Sequence, residues 1–205
     1  SGLWGGRLIA SDMGARLPCM AGGFHPRPRP PYPGAMPLSP PAPRELHHLR
    51  DIALRGFLRE DGLVDIEAHL VDTKTYGFPS DYRGQVNPGE ALHGMWVRLT
   101  VNQDLVITAC EAVTDFSPFE TCPGATPNFA KLAGLSIGPG FNRAVNEVVG
   151  GIKGCTHLRE VRAQMASVAF QPLWPIRFKR QQAQRAAEAE GAPPRRPSLL
   201  RTCHA

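Results

Sequence analysis

Three side chains that can exchange protons alternate along one short segment. Asp65, Glu67 and His69 occupy every second position from residue 65 to residue 69, within the segment 59–72. Alternate residues of a β-strand share a face, so two carboxylates and an imidazole would stand in a row. A carboxylate beside a histidine orients the ring and raises its basicity, and two close carboxylates raise the pKa of one of them. The pattern predicts a general acid–base site.

Two arginines on the neighbouring segments are expected close to the row of Asp65, Glu67 and His69. Arg55 and Arg98 are candidates to hold an anionic substrate group through paired hydrogen bonds. The alternative is that they and Lys74 simply pair with the carboxylates on a solvated sheet face, which is the usual pattern of antiparallel strands.

A second histidine follows a loop rich in glycine and proline. His93 precedes Gly94, which allows a ligand or backbone to come close, and Trp96 would supply an aromatic wall. Tyr76, where the loop begins, is a further candidate substrate contact. The alternative is an ordinary surface or core histidine.

A third group opens the best predicted helix. Cys155 and His157 stand beside the free amides and the positive end of the helix dipole, which favour a thiolate or a bound anion. We predict Cys155 and His157 as catalytic candidates, with an anion site or tight packing as alternatives.

No spacing in the sequence marks a metal or cofactor site. Zinc held by His69, His93, His157 and an acid is compatible with the residue types alone, and we predict no metal and no cofactor. Phosphate-binding glycine loops, dinucleotide motifs and serine-hydrolase elbows are absent from the sequence.

Composition narrows the classes of partner. The net charge is +5, but the basic residues lack the clustering and interleaved aromatics of a nucleic-acid reader. Five cysteines without a close pair argue against a disulfide framework. No run reaches the roughly 18 apolar residues of a membrane span. We therefore expect a cytoplasmic protein that binds a small molecule, with neither nucleic acid nor membrane as partner.

Turn residues divide the middle of the chain into two hairpins followed by helices. Residues 47–58 and 63–72 form one hairpin, and residues 91–101 and 105–114 form another. Helices are expected over residues 128–135, 141–149 and 156–170, the last with Thr156 as N-cap. The predicted fold is α+β, a four-stranded antiparallel sheet with helices packed on one face.

Extended arms flank this predicted core domain of residues 45–175. Residues 1–44 form a proline-rich arm, and residues 176–205 form a polar helical or disordered arm. We predict a homodimer through these arms, and Cys203-His204 either docks into the site or frays.

Three sequence blocks carry a family resemblance. They read RxDGLxDIEAHLxDTK at residues 59–74, GExxHxMWxR at residues 89–98 and GCTHL at residues 154–158. Together they resemble an uncharacterised bacterial family known as a domain of unknown function, over roughly residues 45–175. The resemblance implies a role in the breakdown of aromatic or acyl compounds.

These features favour a small-molecule enzyme that uses acid–base chemistry without a nucleotide cofactor. The first expectation is a lyase of aromatic catabolism that acts on an aromatic acid or alcohol. A metal-assisted hydrolase of an acyl or ester substrate is the second. The third is a non-enzymatic binding or assembly module in which the same polar groups form a structural network.

Overall fold

The computed structural model describes residues 38–187. The fold below belongs to the unit of the chain that begins at Glu45. Most of both predicted arms, together with Cys203-His204, lies outside the described range, and the predicted domain boundaries stay predictions. None of the helices within residues 38–187 is long and apolar enough to cross a membrane.

Six strands precede the helices in the chain. The strands are β1 (His48–Leu58), β2 (Val64–Lys74), β3 (Phe78–Ser80), β4 (Gly84–Val86), β5 (Ala91–Val101) and β6 (Ile107–Phe116). A 3₁₀ segment over Cys122–Leu132 follows, then α1 (Phe141–Val149), a 3₁₀ turn over Gly151–Lys153, α2 (Thr156–Val168) and α3 (Phe170–Ala187). This order confirms the predicted α+β class.

The four long strands form one antiparallel sheet in the order β1-β2-β5-β6. The first hairpin turns at Gly62, whose φ of +81° is a left-handed conformation that glycine adopts freely. The Leu63 amide donates to Asp61 Oδ1 over 3.1 Å. In the second hairpin, Asn102 Oδ1 accepts the amides of Asp104 and Val106. Both predicted hairpins are confirmed.

Alternation along β2 separates a core face from a polar face. Val64, Ile66, Ala68 and Leu70 are at most 1% exposed. They belong to the same buried cluster as Leu158, Val161 and Met165, which are buried residues of α2. The helices therefore cover the even-numbered face of β2, and the odd-numbered row turns away from them.

Three local predictions differ from the structure. The loop over residues 76–90 contains the small hairpin β3–β4. The N-cap of α2 is Cys155 rather than Thr156, and its side chain makes no capping hydrogen bond. The helix predicted over residues 156–170 ends at Val168, and a further helix, α3, begins at Phe170 and continues through Pro175. The buried Leu173 anchors this first part of α3 in the core, which compensates for the proline.

The core assignment predicts unequal costs for two leucine truncations in the same sheet. Leu99 is 0% and Leu58 is 58% exposed. We expect Leu99→Ala to lower the free energy of unfolding by about 2–5 kcal/mol because it leaves a cavity, and Leu58→Ala by under about 1 kcal/mol. Urea unfolding followed by circular dichroism measures both, and equal costs would contradict the core assignment.

Candidate active site

A row of polar side chains crosses three strands at one end of the sheet. Arg50 of β1 is the cross-strand partner of Asp72, and Asp72 is the partner of His93 on β5. Asp72 and His93 continue the buried rows of β2 and β5, and Arg50 continues the partly buried row of Ile52 and Leu54 in β1, on the face that the helices cover. Between Asp72 and Thr73 the β2–β5 register shifts by one residue. Such bulges occur often beside active sites, where they redirect side chains.

Asp72 is the buried centre of this row. Its side chain is 1% exposed, and Arg50 donates to both carboxylate oxygens over 2.7 Å. Burial acts to raise the pKa of Asp72, but the hydrogen bonds and charge of Arg50 outweigh it, so the pKa lies below its usual value. Asp72 is therefore a fixed negative charge at neutral pH, held by a two-pronged ion pair.

His93 is a second hydrogen-bond partner of the Asp72 carboxylate. Its Nδ1 lies 3.0 Å from Asp72 Oδ2, a geometry in which the ring N–H is donated to the carboxylate and Nε2 is the basic nitrogen. The side chain is 12% exposed. Burial foremost, and then the neighbouring His157, lower the pKa of His93. The ring is consequently neutral at pH 7.

The start of α2 adds a second histidine and a thiol. The ring of His157 lies over that of His93, with centroids 4.0 Å apart, and its Nε2 is 3.9 Å from Asp72 Oδ2. Burial and the charge of Arg50 lower the pKa of His157. Cys155 Sγ lies 3.9 Å from His157 Nδ1. The predicted His93, Cys155 and His157 are thus brought together.

Two further groups stand on the solvent side of the cluster. His48 Nε2 is 3.6 Å from Asp72 Oδ1, and Arg50 Nη1 is 3.3 Å from Glu160 Oε2. The side chains of His48 and Glu160 are 43% and 54% exposed. The cluster therefore opens to solvent between the first residues of β1 and the first turns of α2.

The same cluster contains a set of potential metal ligands. One ligand atom each from Asp72, His93 and His157 lies within 4.8 Å of the others. Two histidines and a carboxylate with room for further ligands suit zinc or iron. Arg50 stands against this use, because both oxygens of Asp72 already accept its guanidinium.

The remaining predicted catalytic residues lie on the opposite face of the sheet. Asp65 accepts a hydrogen bond of 2.7 Å from Thr100, and Glu67 pairs with Arg98 at 2.7 Å. The ring of His69 stacks on Trp96 with centroids 3.7 Å apart. The structure therefore does not bring Asp65, Glu67 and His69 together with His93.

A groove of about 260 Å³ lies on this opposite face, lined in part by Glu67, Trp96 and Arg98. Arg55 stands beside it as the cross-strand partner of Glu67. Tyr76 belongs to neither group, since it contacts the rings of His47 and Phe78. We favour the Asp72 cluster as the site, because its ionisable groups are buried around one charge whereas those of the groove are paired near the surface.

Sequence reasoning did not select Asp72, Arg50, His48 or Glu160. A signal for Asp72 was present, since it extends the buried series that ends at Leu70 and a carboxylate at a core position needs a partner. No comparable signal identified Arg50, because its pairing depends on the register of β1 against β2.

A family model described as a protein of unknown function (DUF2889) matches residues 48–171. The chain belongs to this family. The matched region includes every strand and all the residues of the Asp72 cluster. No functionally described protein and no experimentally solved structure is significantly similar to the chain.

The pairing of Arg50 with buried Asp72 predicts a large stability effect. We expect Arg50→Met to lower the free energy of unfolding by about 3 kcal/mol, because it leaves a buried carboxylate without its cation. The control is Arg98→Met, which breaks an ion pair whose arginine is 49% exposed and should cost under about 1 kcal/mol. Urea unfolding at pH 7 compares them. A cost for Arg50→Met no greater than the control would show that Asp72 does not depend on Arg50.

Proposed function

We propose that this protein is a small-molecule lyase that works by general acid–base chemistry at the Asp72 cluster. One observation carries the proposal. A carboxylate that is 1% exposed holds a neutral histidine in one orientation, and a second histidine lies 4.0 Å away, ring to ring. A buried carboxylate–histidine pair that opens to solvent is a typical arrangement for a general base.

Each residue has a role that follows from its position. Asp72 orients His93 and stabilises its ring when it becomes protonated, and Arg50 keeps Asp72 ionised. Arg50 Nη1, which faces the exposed Glu160 over 3.3 Å, is the guanidinium nitrogen left to bind a substrate carboxylate. The neighbouring rings of His93 and His157 and the adjacent Cys155 suit an aromatic substrate.

The reaction class we propose is cleavage of a carbon–carbon bond beside a hydroxyl group. His93 Nε2 takes the hydroxyl proton, and the O–H electron pair becomes the second bond of a carbonyl group. The adjacent carbon–carbon bond breaks, and its electron pair passes to the departing carbon, where a neighbouring carbonyl group or a hydroxylated ring delocalises it. Protonated His93 then returns a proton to that carbon. Hydroxylated aromatic acids and alcohols have the groups that this step requires.

The proposal predicts loss of turnover when His93 is replaced. Substrates are first sought by incubating the protein with hydroxylated aromatic acids and alcohols and identifying fragments by mass spectrometry. On any substrate found, His93→Gln should lower kcat/KM by about 100-fold or more. His47→Gln, which changes an exposed histidine outside the cluster, should leave kcat/KM near the wild-type value.

The pH profile supplies an independent readout of the same prediction. The base works in its neutral form, and burial lowers its pKa, so the acidic limb of kcat/KM should lie below the ordinary histidine value of about 6.5. Loss of turnover in His69→Gln but not in His93→Gln would contradict the proposal. It would assign the active site to the opposite face of the sheet.

A metal-assisted hydrolase of an acyl or ester substrate is the second candidate. The observation that favours it is the set of ligand atoms from Asp72, His93 and His157 within 4.8 Å. A divalent ion there would activate a water molecule for attack on a carbonyl carbon. The ion would also have to approach the guanidinium of Arg50, which is why we place this candidate second.

Elemental analysis of protein purified without a metal-affinity tag separates the two candidates. The lyase predicts no stoichiometric metal and no effect of chelators on turnover. The hydrolase predicts about one equivalent of zinc, iron or manganese per chain, reduced by His157→Ala but not by His47→Ala. The homodimer through the arms stays a prediction, because most of both arms lies outside residues 38–187. The cytoplasmic location also stays a prediction.

A further inference from the structure

Arg162 of α2 is a buried cation with an incomplete set of partners. Its side chain is 4% exposed. Nη1 donates to Asn142 Oδ1 over 3.1 Å, and the guanidinium lies 5.1 Å from the centre of the Phe141 ring. Among the residues that the structure describes, Nε has no hydrogen-bond partner, and no acidic side chain forms an ion pair with Arg162.

Such an arrangement is costly unless something else compensates the charge. Burying an unpaired cation costs several kcal/mol, and buried donors in folded proteins nearly always have a partner. The charge of Arg159 adds to this cost, because it lowers the pKa of Arg162 in addition to the larger effect of burial. A bound anion would offset the repulsion between these two neighbouring guanidinium groups.

The first two residues of α1, Phe141 and Asn142, contact Arg162. Asn142, which holds Arg162, is the second residue of this nine-residue helix. The Phe141 amide donates to Gly138 O, whereas the amides of Asn142 and Arg143 have no acceptor within the helix. The first turn of α1 contains no acidic residue, and its N-cap Gly140 has no side chain to cap it. Helix starts of this kind bind oxyanions.

The loop before α1 leaves space for a ligand. A Cβ atom built on Gly138 or Gly140 would meet no described atom within 4 Å. Asn142 is exposed and Arg159 is half-buried, so the region is reachable from solvent. The site is also separate from the Asp72 cluster, because Arg162 follows His157 by about one and a half turns and points roughly 140° away around α2.

We propose that the start of α1, with Arg162 and Arg159 of α2, binds an oxyanion group of the phosphate or carboxylate class. The guanidinium of Arg162, which has no acidic partner within residues 38–187, and the amides of Asn142 and Arg143 supply the donors. This inference does not depend on the proposed lyase activity, because neither the site nor its test involves turnover.

The test is binding of simple oxyanions to the full chain by equilibrium dialysis. Inorganic phosphate and acetate are used in separate arms, with chloride keeping the ionic strength constant. We expect saturable binding of about one equivalent per chain, and an affinity at least about tenfold weaker in Arg162→Met. Tighter binding of phosphate assigns the site to a phosphoryl group, and tighter binding of acetate assigns it to a carboxylate.

Arg143→Met is the matched control. Arg143 stands in the same turn of α1, but its side chain is 88% exposed and pairs with Glu147, so its loss should leave binding unchanged. If Arg162→Met does not fold, Arg162→Lys keeps the charge but loses the planar fork, and it should weaken binding without unfolding the protein.

Two results would overturn the proposal. One is that the wild-type chain binds neither oxyanion. The other is that Arg162→Met, or Arg162→Lys in its place, binds them as tightly as the wild type, which would leave Arg162 with a packing role only.

Discussion

The arrangement of this end of the sheet depends on one buried negative charge. Asp72 stands where the row of β2 core residues would otherwise continue, and its carboxylate is shielded from water. A charge in that position is stable only with a cation and further hydrogen-bond donors around it. Arg50 supplies the cation, and His93 supplies a further hydrogen-bond donor. Both come from neighbouring strands, so the charge links the pairing of β1, β2 and β5 to the geometry of the candidate site.

That requirement also explains why the candidate site lies beneath the helices. On the polar face of the sheet, Asp65, Glu67 and Arg98 reach partners on adjacent strands, so their charges balance locally and near solvent. On the covered face, a single carboxylate is surrounded by an arginine and three histidines. Burial keeps His93 and His157 neutral. Neutral imidazoles beside a fixed anion can accept protons, which a fully paired surface network cannot do as readily.

Helix α2 connects the two regions that we assign to ligands. Its first residues place Cys155 and His157 against Asp72, and its middle presents Arg162 to the start of α1. The two regions lie on different sides of this helix, about 140° apart around its axis.

The sequence by itself determined the architecture. Alternation along β2, the Asp61-Gly62 turn and the helical spacing of Leu158, Val161 and Met165 are local patterns, so they predicted the first hairpin and the covering helix. The histidines were also visible as candidates. Tertiary structure decided which of them meet. The face that α2 covers, and the register that sets Arg50 opposite Asp72, depend on contacts between residues far apart in the chain. Alternation shows which residues share a face of a strand, but only packing decides which face is buried.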